Sequence, residues 1–164
     1  MTRFLTVDEL IYVNEQLHSE VPLHKILQGR QKVRDMDLLE AAVGRPMQTV
    51  FGEDAYPTLA EKAAALLHSL ARNHPFADGN KRTATIAAIF MLQVNGLRVQ
   101  WDAQDALQQI LQVAEGRRTP VEFAAWLTTI PGTLALEPDE RVDIQMIDQI
   151  MADHAWLLDE LAQR

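Results

Sequence analysis

The chain contains no cysteine among its 164 residues, which excludes disulfide bonds, thiolate zinc sites and cysteine nucleophiles. Aromatic residues make up only 6% and charged residues 23%, while 48% are hydrophobic, a balance typical of a folded globular chain. No apolar run approaches the roughly 20 residues that a membrane-spanning helix needs. The N-terminus also lacks the long apolar core of a secretory signal. We therefore expect a cytoplasmic protein.

Acidic residues outnumber basic residues, and the chain carries a net charge of −8. Such a balance argues against a partner that is a nucleic acid or a membrane surface. Most of the negative charge lies at the C-terminal end, where residues 137–164 hold eight acids and two arginines, a net −6. The rest of the chain is close to neutral.

Helix-capping signals and apolar periodicity predict an all-α fold with one short extended flap near residues 47–57. Threonines with a glutamate three residues later predict helix starts at Thr6, Thr58 and Thr119, the last helix ending near Pro131. The residues 19–34 are predicted to form a polar loop. Further helices are predicted over 35–43, from about 80 to 95 and over 102–115, and a short extended piece over 97–101. The helix near residues 84–92 is apolar on nearly every side, which predicts a central, buried position.

A break at Pro131-Gly132 divides the chain into a main domain, 1–130, and a C-terminal helical extension, 131–164. The extension carries an apolar stripe from Val142 to Leu161, which predicts one amphipathic helix. Such a stripe needs a covering partner. The candidates are the body of the same chain, a second copy in a homodimer, or another protein.

The segment from Asp78 to Arg82 reads DGNKR and opens a predicted helix. Helix N-termini present unpaired N–H groups and partial positive charge, and glycine lets the backbone approach an anion. Lys81 and Arg82 in the first turn oppose the helix dipole unless a phosphate pairs with them. The alternative is a solvated helix start with ordinary surface charges.

His74 lies just before this segment, and Pro75 separates it from the following helix. A neutral imidazole beside a phosphate site is suited to act as general base for a hydroxyl nucleophile. Asp78 is a candidate Mg²⁺ ligand, because Mg²⁺ prefers one or two carboxylates plus phosphate oxygens. Phe76 between them is expected to anchor the loop in the core.

The sequence HPFADGNKR from His74 to Arg82 resembles the Fic motif, His-x-Phe-x-(Asp/Glu)-Gly-Asn-Gly-Arg-x-x-Arg. It departs where Lys81 replaces the second glycine and Thr85 the last arginine, and both departures match the Doc (death-on-curing) branch. The resemblance extends to the flank from Tyr56 to Ala65 and to the run Ala71-Arg72-Asn73, and covers about residues 5 to 130. It implies a Fic/Doc-type helical bundle.

The resemblance also implies a role for each motif residue. His74 would be the catalytic base, Asp78 the Mg²⁺ ligand, and Gly79 and Asn80 the anion-binding nest. Lys81 and Arg82 would contact phosphate. Like Doc enzymes, the chain would act as a toxin that transfers the γ-phosphate of ATP to a Ser/Thr hydroxyl of a protein such as elongation factor Tu, arresting translation. Its partner would be an antitoxin.

Two other functions stay open at this point. One is Fic-type AMP transfer to a protein hydroxyl, with Lys81 tolerated in the site. The other is a catalytically silent protein-binding module, against which the joint presence of His74, Asp78, Lys81 and Arg82 argues. No P-loop or protein-kinase motif is present, so any kinase activity would be of the Fic kind.

The remaining candidates are weaker. The Gly52 region corresponds in position to the Fic flap, which pairs with the target as an added strand, and a plain surface loop is the alternative. His68 is expected to be a core histidine, and Trp101 and Trp126 to be core residues. His18, His24 and His154 are expected at the surface or in loops. Thr133 and Glu137 share the spacing of the Fic inhibitory-helix motif, but Pro138 replaces its Gly/Asn.

Overall fold

A computed structural model describes residues 1–18 and 33–164. The predicted loop at 19–34 and His24 therefore lie outside the described residues, apart from Val33 and Arg34. The helices are α1 (Val7–Gln16), α2 (Met36–Gly44), α3 (Leu59–Asn73), α4 (Asn80–Val94), α5 (Ala103–Ala114), α6 (Pro120–Trp126), α7 (Glu140–Asp153) and α8 (Ala155–Ala162), with a 3-10 turn at Arg45–Met47. The prediction of a helical fold with short extended pieces is confirmed.

Local capping explains where most of these helices begin. Thr6 and Thr119 form complete capping boxes with Glu9 and Glu122. Thr58 accepts a hydrogen bond from the Glu61 N–H at 3.1 Å, the forward half of the predicted box. The residues Asp35, Asp102 and Asp139 cap α2, α5 and α7 through their side chains.

Helix α4 forms the centre of the fold, as its apolar sequence predicted. From Thr83 to Leu92 every residue is buried, and α4 packs against α1, α3, β3 (Asn95–Val99), α7 and α8. Thr85 sits in this apolar environment because its hydroxyl donates to the Lys81 carbonyl at 2.8 Å. Because α4 is buried from Thr83 onward, its start is held against the core of the protein.

The predicted flap is a two-stranded hairpin. The strands β1 (Thr49–Val50) and β2 (Glu53–Asp54) are antiparallel and joined by Phe51-Gly52. Both turn residues have positive φ, 53° at Phe51 and 80° at Gly52. Positive φ at both central residues is typical of the tight turn that suits the twist of a hairpin.

The prediction that α6 reaches Pro131 is wrong, and so is the single helix in the extension. α6 ends at Trp126, and β4 (Thr129–Leu134) pairs antiparallel with β3. β-branched Thr129 and Ile130 suit a strand once β3 offers a partner. Gly96 of β3 suits this pairing, since its φ is 87° and a Cβ there would come within 2.9 Å of the Leu134 side chain.

The extension packs on the body of the same molecule. It forms α7 and α8 rather than one helix, because the backbone at His154 leaves the helical region with φ −112° and ψ 24°. Its buried side chains join the main hydrophobic core, and they are Ile147, Ile150, Leu157, Leu158 and Leu161. The boundary drawn at 130/131 lies inside β4.

A buried ion pair ties the two ends of the chain together. Arg3 contacts Asp143 of α7 at 2.7 Å and Glu9 of α1 at 2.8 Å.

Within residues 1–18 and 33–164, none of the helices is both long enough and apolar enough to cross a bilayer.

Candidate active site

The motif occupies the connection between α3 and α4. His74 ends α3 in the left-handed conformation, with φ 52° and ψ 59°, which costs a residue other than glycine about 1–2 kcal/mol. Pro75 and Phe76 follow as buried residues, and Gly79 turns the chain into α4 with φ 75°. The connection is therefore tight, and His74 stands exposed at one edge of it.

The carbonyl groups of the connection are held by protein donors. Arg34 donates to the carbonyls of Asn73 at 2.9 Å and His74 at 2.7 Å. The Asn80 side chain donates to the Phe76 carbonyl and accepts from the Phe76 N–H, both at 2.9 Å.

Three more carbonyls are paired in the same way. The Pro75 carbonyl accepts from the N–H groups of Arg34 and Asp35, and the Gly79 carbonyl accepts from the Thr83 N–H at 2.8 Å. Buried Asn14 of α1 donates to the Asp78 carbonyl at 2.9 Å. These carbonyl oxygens would repel an anion, but they already accept hydrogen bonds from protein groups. This favours an anion where the N–H groups of the connection are exposed.

Among residues 1–18 and 33–164, no side chain caps the start of α4, in contrast to the Thr and Asp caps of the earlier helices. The N–H groups of Asn80, Lys81 and Arg82 fall in the first turn, where a helix offers no partner of its own. A helix start of this kind combines unpaired donors with the positive end of the dipole. It is suited to hold a phosphate.

A pocket of about 230 Å³ lies at this helix start. Its lining residues come from the motif and from the end of the chain, and they are His74, Ala77, Asp78, Gly79, Asn80, Lys81, Arg82, Leu161, Ala162 and Arg164. The Lys81 ammonium donates to the Arg164 carbonyl at 3.2 Å. Helix α8 therefore supplies one wall of the pocket.

The Asp78 carboxylate faces solvent, with 76% of its side chain exposed. Its oxygen Oδ2 lies 3.4 Å from His18 Nε2 and 3.7 Å from the Arg82 guanidinium. Partial burial by itself would raise the pKa of Asp78, but hydrogen bonds from His18 and the Gly79 N–H, together with the charge of Arg82, hold that pKa below its usual value. The carboxylate is charged at neutral pH.

The His74 imidazole is neutral at pH 7. Partial burial lowers its pKa, and the positive charges of Lys81, Arg34 and Arg72 lower it further. No side chain within residues 1–18 and 33–164 hydrogen-bonds to its ring. A neutral imidazole with an available ring nitrogen is the form that a general base requires.

Comparison with known proteins agrees with this geometry. The Fic/DOC family model matches residues 4–92, which include the motif and the flap. The chain belongs to the Fic/Doc family. It is 54% identical over 87 residues to Toxin Doc from Mycolicibacterium smegmatis, an alignment that covers 50% of this chain and 67% of that protein. The resemblance to the Doc branch is confirmed, and the family indicates a transferase that acts on proteins.

All six predicted Fic/Doc site residues line one pocket, but they present different chemical groups to it. His74, Asp78, Lys81 and Arg82 present titratable or charged groups there. The Asn80 side chain hydrogen-bonds to both the N–H and the carbonyl of Phe76. Asn80 can therefore offer an anion only its backbone N–H.

Asn14 of α1 and His18, just beyond the end of α1, lie at the candidate site and were not predicted from the sequence. His18, expected at the surface or in a loop, instead contacts Asp78, and its Nδ1 lies 2.8 Å from the Asn14 carbonyl. Asn14 is 1% exposed and bonds to the Thr83 hydroxyl as well as to the connection. One signal was available, because Asn14 follows Leu10 by four residues and so interrupts the apolar face of α1.

The other histidines and tryptophans can now be placed. His68 is half-buried and lies 2.6 Å from an Arg45 nitrogen, consistent with a satisfied core histidine. His154, expected at the surface, is partly buried with its ring edge against Trp101 at 5.7 Å. Trp101 stacks on Trp126 at 5.9 Å, and both pack against the core.

Thr133 and Glu137 have the spacing of the Fic inhibitory-helix motif, but the secondary structure around Thr133 differs from that motif. Thr133 belongs to β4 rather than to a helix.

The donor set fits Mg²⁺ bound together with a polyphosphate. Asp78 offers one exposed carboxylate, and within residues 1–18 and 33–164 no group of three or more metal-binding side chains forms a dedicated cage. Mg²⁺ is commonly held by one or two carboxylates and completed by phosphate oxygens and water. The uncapped start of α4, with Lys81 and Arg82, fits the phosphate chain.

Proposed function

We propose that this chain is a Doc-like toxin of a toxin–antitoxin system that transfers the γ-phosphate of ATP to a Ser/Thr hydroxyl of a protein. One observation carries the proposal: the uncapped start of α4 lines one pocket with a neutral His74 and a charged Asp78, while the nearby carbonyls accept hydrogen bonds from protein groups. Positioning and charge neutralisation are what phosphoryl transfer demands of a protein.

The amide groups of the α4 start would hold the phosphate chain, with Lys81 and Arg82 pairing with its oxygens. Asp78 would hold Mg²⁺, and Arg82, 3.7 Å from that carboxylate, would keep it charged and oriented. ATP would supply the phosphoryl group: as the target oxygen bonds to the γ-phosphorus, the bond to the β–γ bridging oxygen would break and ADP would leave. Mg²⁺ would neutralise the phosphate charge. The protein contributes a fixed set of donors.

His74 would take the proton of the target hydroxyl. Its lowered pKa leaves a ring nitrogen available for this at neutral pH. His18 would orient Asp78, since the 3.4 Å contact joins its ring to the carboxylate.

The hairpin of β1 and β2 would receive the target. Its strand residues are exposed, and the tip residue Phe51 is fully exposed. An exposed strand edge can bind an extended peptide by main-chain hydrogen bonds, while an exposed aromatic side chain adds apolar contact. The target hydroxyl would then be presented to His74.

The similarity to Toxin Doc supports the biological part of the proposal. The target would be an elongation factor Tu-like protein in the cytoplasm, and its phosphorylation would arrest translation. An antitoxin would restrain the chain in the producing cell.

Transfer assays with γ-labelled and α-labelled ATP in parallel test the chemistry. The purified chain is incubated with Mg²⁺, each label and elongation factor Tu, and the protein product is weighed by mass spectrometry. We expect label from the γ position only, with an added mass of about 80 Da. Label from the α position with about 329 Da added means AMP transfer, and label from neither with no ATP binding means a protein-binding module.

A further inference from the structure

Arg34 makes a contact with the catalytic connection that the proposed chemistry does not use directly. Its Nε donates to the His74 carbonyl at 2.7 Å, and its terminal NH2 donates to the Asn73 carbonyl at 2.9 Å. The main-chain N–H of Arg34 also donates to the Pro75 carbonyl at 2.7 Å. Three successive carbonyls are therefore held by one residue, forty residues away in sequence.

We propose that Arg34 is a positioning residue for His74. The Asn73 carbonyl belongs to the peptide plane before the His74 Cα, and the His74 carbonyl belongs to the plane after it. The rotations of these two planes about their bonds to the Cα are the φ and ψ angles of His74. A rigid, planar guanidinium bonded to both oxygens therefore fixes the two angles that direct the imidazole.

The backbone conformation of His74 is unfavourable and needs contacts that stabilise it. Its φ of 52° and ψ of 59° lie in the left-handed region, which a histidine adopts only when its surroundings impose it. Arg34 lies beside the last carbonyls of α3, where a cation also agrees with the helix dipole. An isolated bridge between Val33 and Phe76 fixes the approach of the Arg34 segment to the connection.

Arg72 offers a matched control within the same chain. Both Arg34 and Arg72 place positive charge near His74 and lower its pKa, after burial and Lys81. Arg72, however, donates to the Ala114 carbonyl at 3.3 Å, and within the described part of the chain its side chain makes no hydrogen bond to the connection. Removing either arginine thus removes a similar charge, while only one removal releases the His74 backbone.

The test compares Arg34→Lys, Arg34→Gln and Arg72→Gln in the full chain. Lysine keeps the charge but loses the paired, planar donation. We expect both Arg34 variants to lose kcat by about 10- to 100-fold with little change in the KM for ATP, the effect of a small misplacement of a catalytic group. Arg72→Gln should keep kcat within about twofold.

The pH profiles separate charge from position. Loss of a nearby positive charge raises the pKa of His74, so the acidic limb should move to higher pH in Arg34→Gln and in Arg72→Gln and stay in place in Arg34→Lys. Lowered kcat in both Arg34 variants, together with an unmoved limb in Arg34→Lys, supports positioning. Full kcat in Arg34→Lys overturns it.

The activity part rests on the proposed transferase function, so a second measurement is independent of activity. Amide exchange of Phe76, whose N–H donates to Asn80 inside the connection, is compared with that of Ile89 in the core of α4. We expect faster exchange at Phe76, and unchanged exchange at Ile89, in both Arg34 variants but not in Arg72→Gln. A wild-type chain that transfers nothing refutes the proposed function, whereas unchanged Phe76 exchange in both Arg34 variants refutes the positioning role.

Discussion

At the scale of single residues, His74 is the proposed general base and has an uncommon backbone conformation. The variants His74→Asn and His74→Ala both remove the proposed base, so we expect transfer to fall by roughly 10²–10⁴-fold in each. Asparagine tolerates the left-handed region better than alanine, so His74→Asn should retain stability that His74→Ala loses. Label transfer and urea unfolding measure the two effects. Equal activity of His74→Asn and the wild type would refute the base assignment.

Lys81 is the residue by which the motif departs from the general Fic pattern. The variant Lys81→Gly should weaken γ-phosphate transfer, because it removes a cation from the pocket and leaves room for a different nucleotide pose. Lys81→Ala is the control, since it removes the charge without the backbone freedom of glycine. The rates of transfer from γ-labelled and α-labelled ATP are compared. If Lys81→Gly keeps the wild-type γ rate, Lys81 does not select the reaction.

His68 gives a stability prediction that is independent of catalysis. Burial, with the charges of Arg45 and Arg72, lowers the pKa of His68 to about 4 from its ordinary 6.5. The unfolded chain therefore binds a proton more readily than the folded chain between these two pH values, and stability should fall as pH drops from 6.5 towards 4. Urea midpoints at pH 7 and pH 4.5 measure this loss. His68→Gln should show a smaller loss, and an identical loss would mean that other groups cause it.

At the scale of elements, the flap hairpin carries a residue that does not favour its own turn. Phe51 is fully exposed with φ 53°, whereas asparagine followed by glycine is the preferred pair at such a turn. Phe51→Asn should therefore leave stability equal or slightly higher. If Phe51 contacts the target, the KM for the protein target should rise, while the KM for ATP and the kcat stay unchanged.

Exposed Val121 of α6 is a matched control for this substitution, since it is 55% exposed and lies outside the hairpin. Val121→Asn should leave both KM values unchanged. An unchanged KM for the protein target in Phe51→Asn would exclude Phe51 from target binding.

At the scale of the whole molecule, the C-terminal extension is part of the folded body. Truncation after Ile130 removes most of β4 and the buried face of α7 and α8, and it leaves Arg3 without Asp143. Exposed core surface destabilises a protein strongly, and a buried cation that keeps Glu9 but loses Asp143 adds to the loss. We expect the truncated chain to aggregate, as measured by light scattering and circular dichroism. A soluble truncated monomer with increased transfer would instead show that the extension restrains the site.

The same packing bears on the predicted homodimer. The apolar stripe of the extension is covered by its own chain, so it no longer requires a second copy. The large apolar residues that stay exposed on α7 and α8 are Val142 and Trp156. Light scattering of the intact chain measures the oligomeric state, and Trp156→Gln tests whether any dimer uses this face.

Much of the fold could be predicted because its signals are local. A threonine and a glutamate three residues apart specify a helix start within a single turn, as at Thr6 and Thr119. Proline and glycine end helices by backbone sterics alone, as around Pro75. Strand β4 was missed because a strand depends on its partner, here β3, and the paired residues are 30 or more positions apart in the sequence.

The chemical side chains of the site were determined by the sequence itself. His74, Asp78, Lys81 and Arg82 lie within nine residues, so the turn between two helices is enough to gather them. What holds that turn was decided only by the tertiary structure. Asn14, His18 and Arg34 reach it from other parts of the chain, because a tight connection cannot pair all of its own polar groups and depends on the donors that the packed fold brings to it.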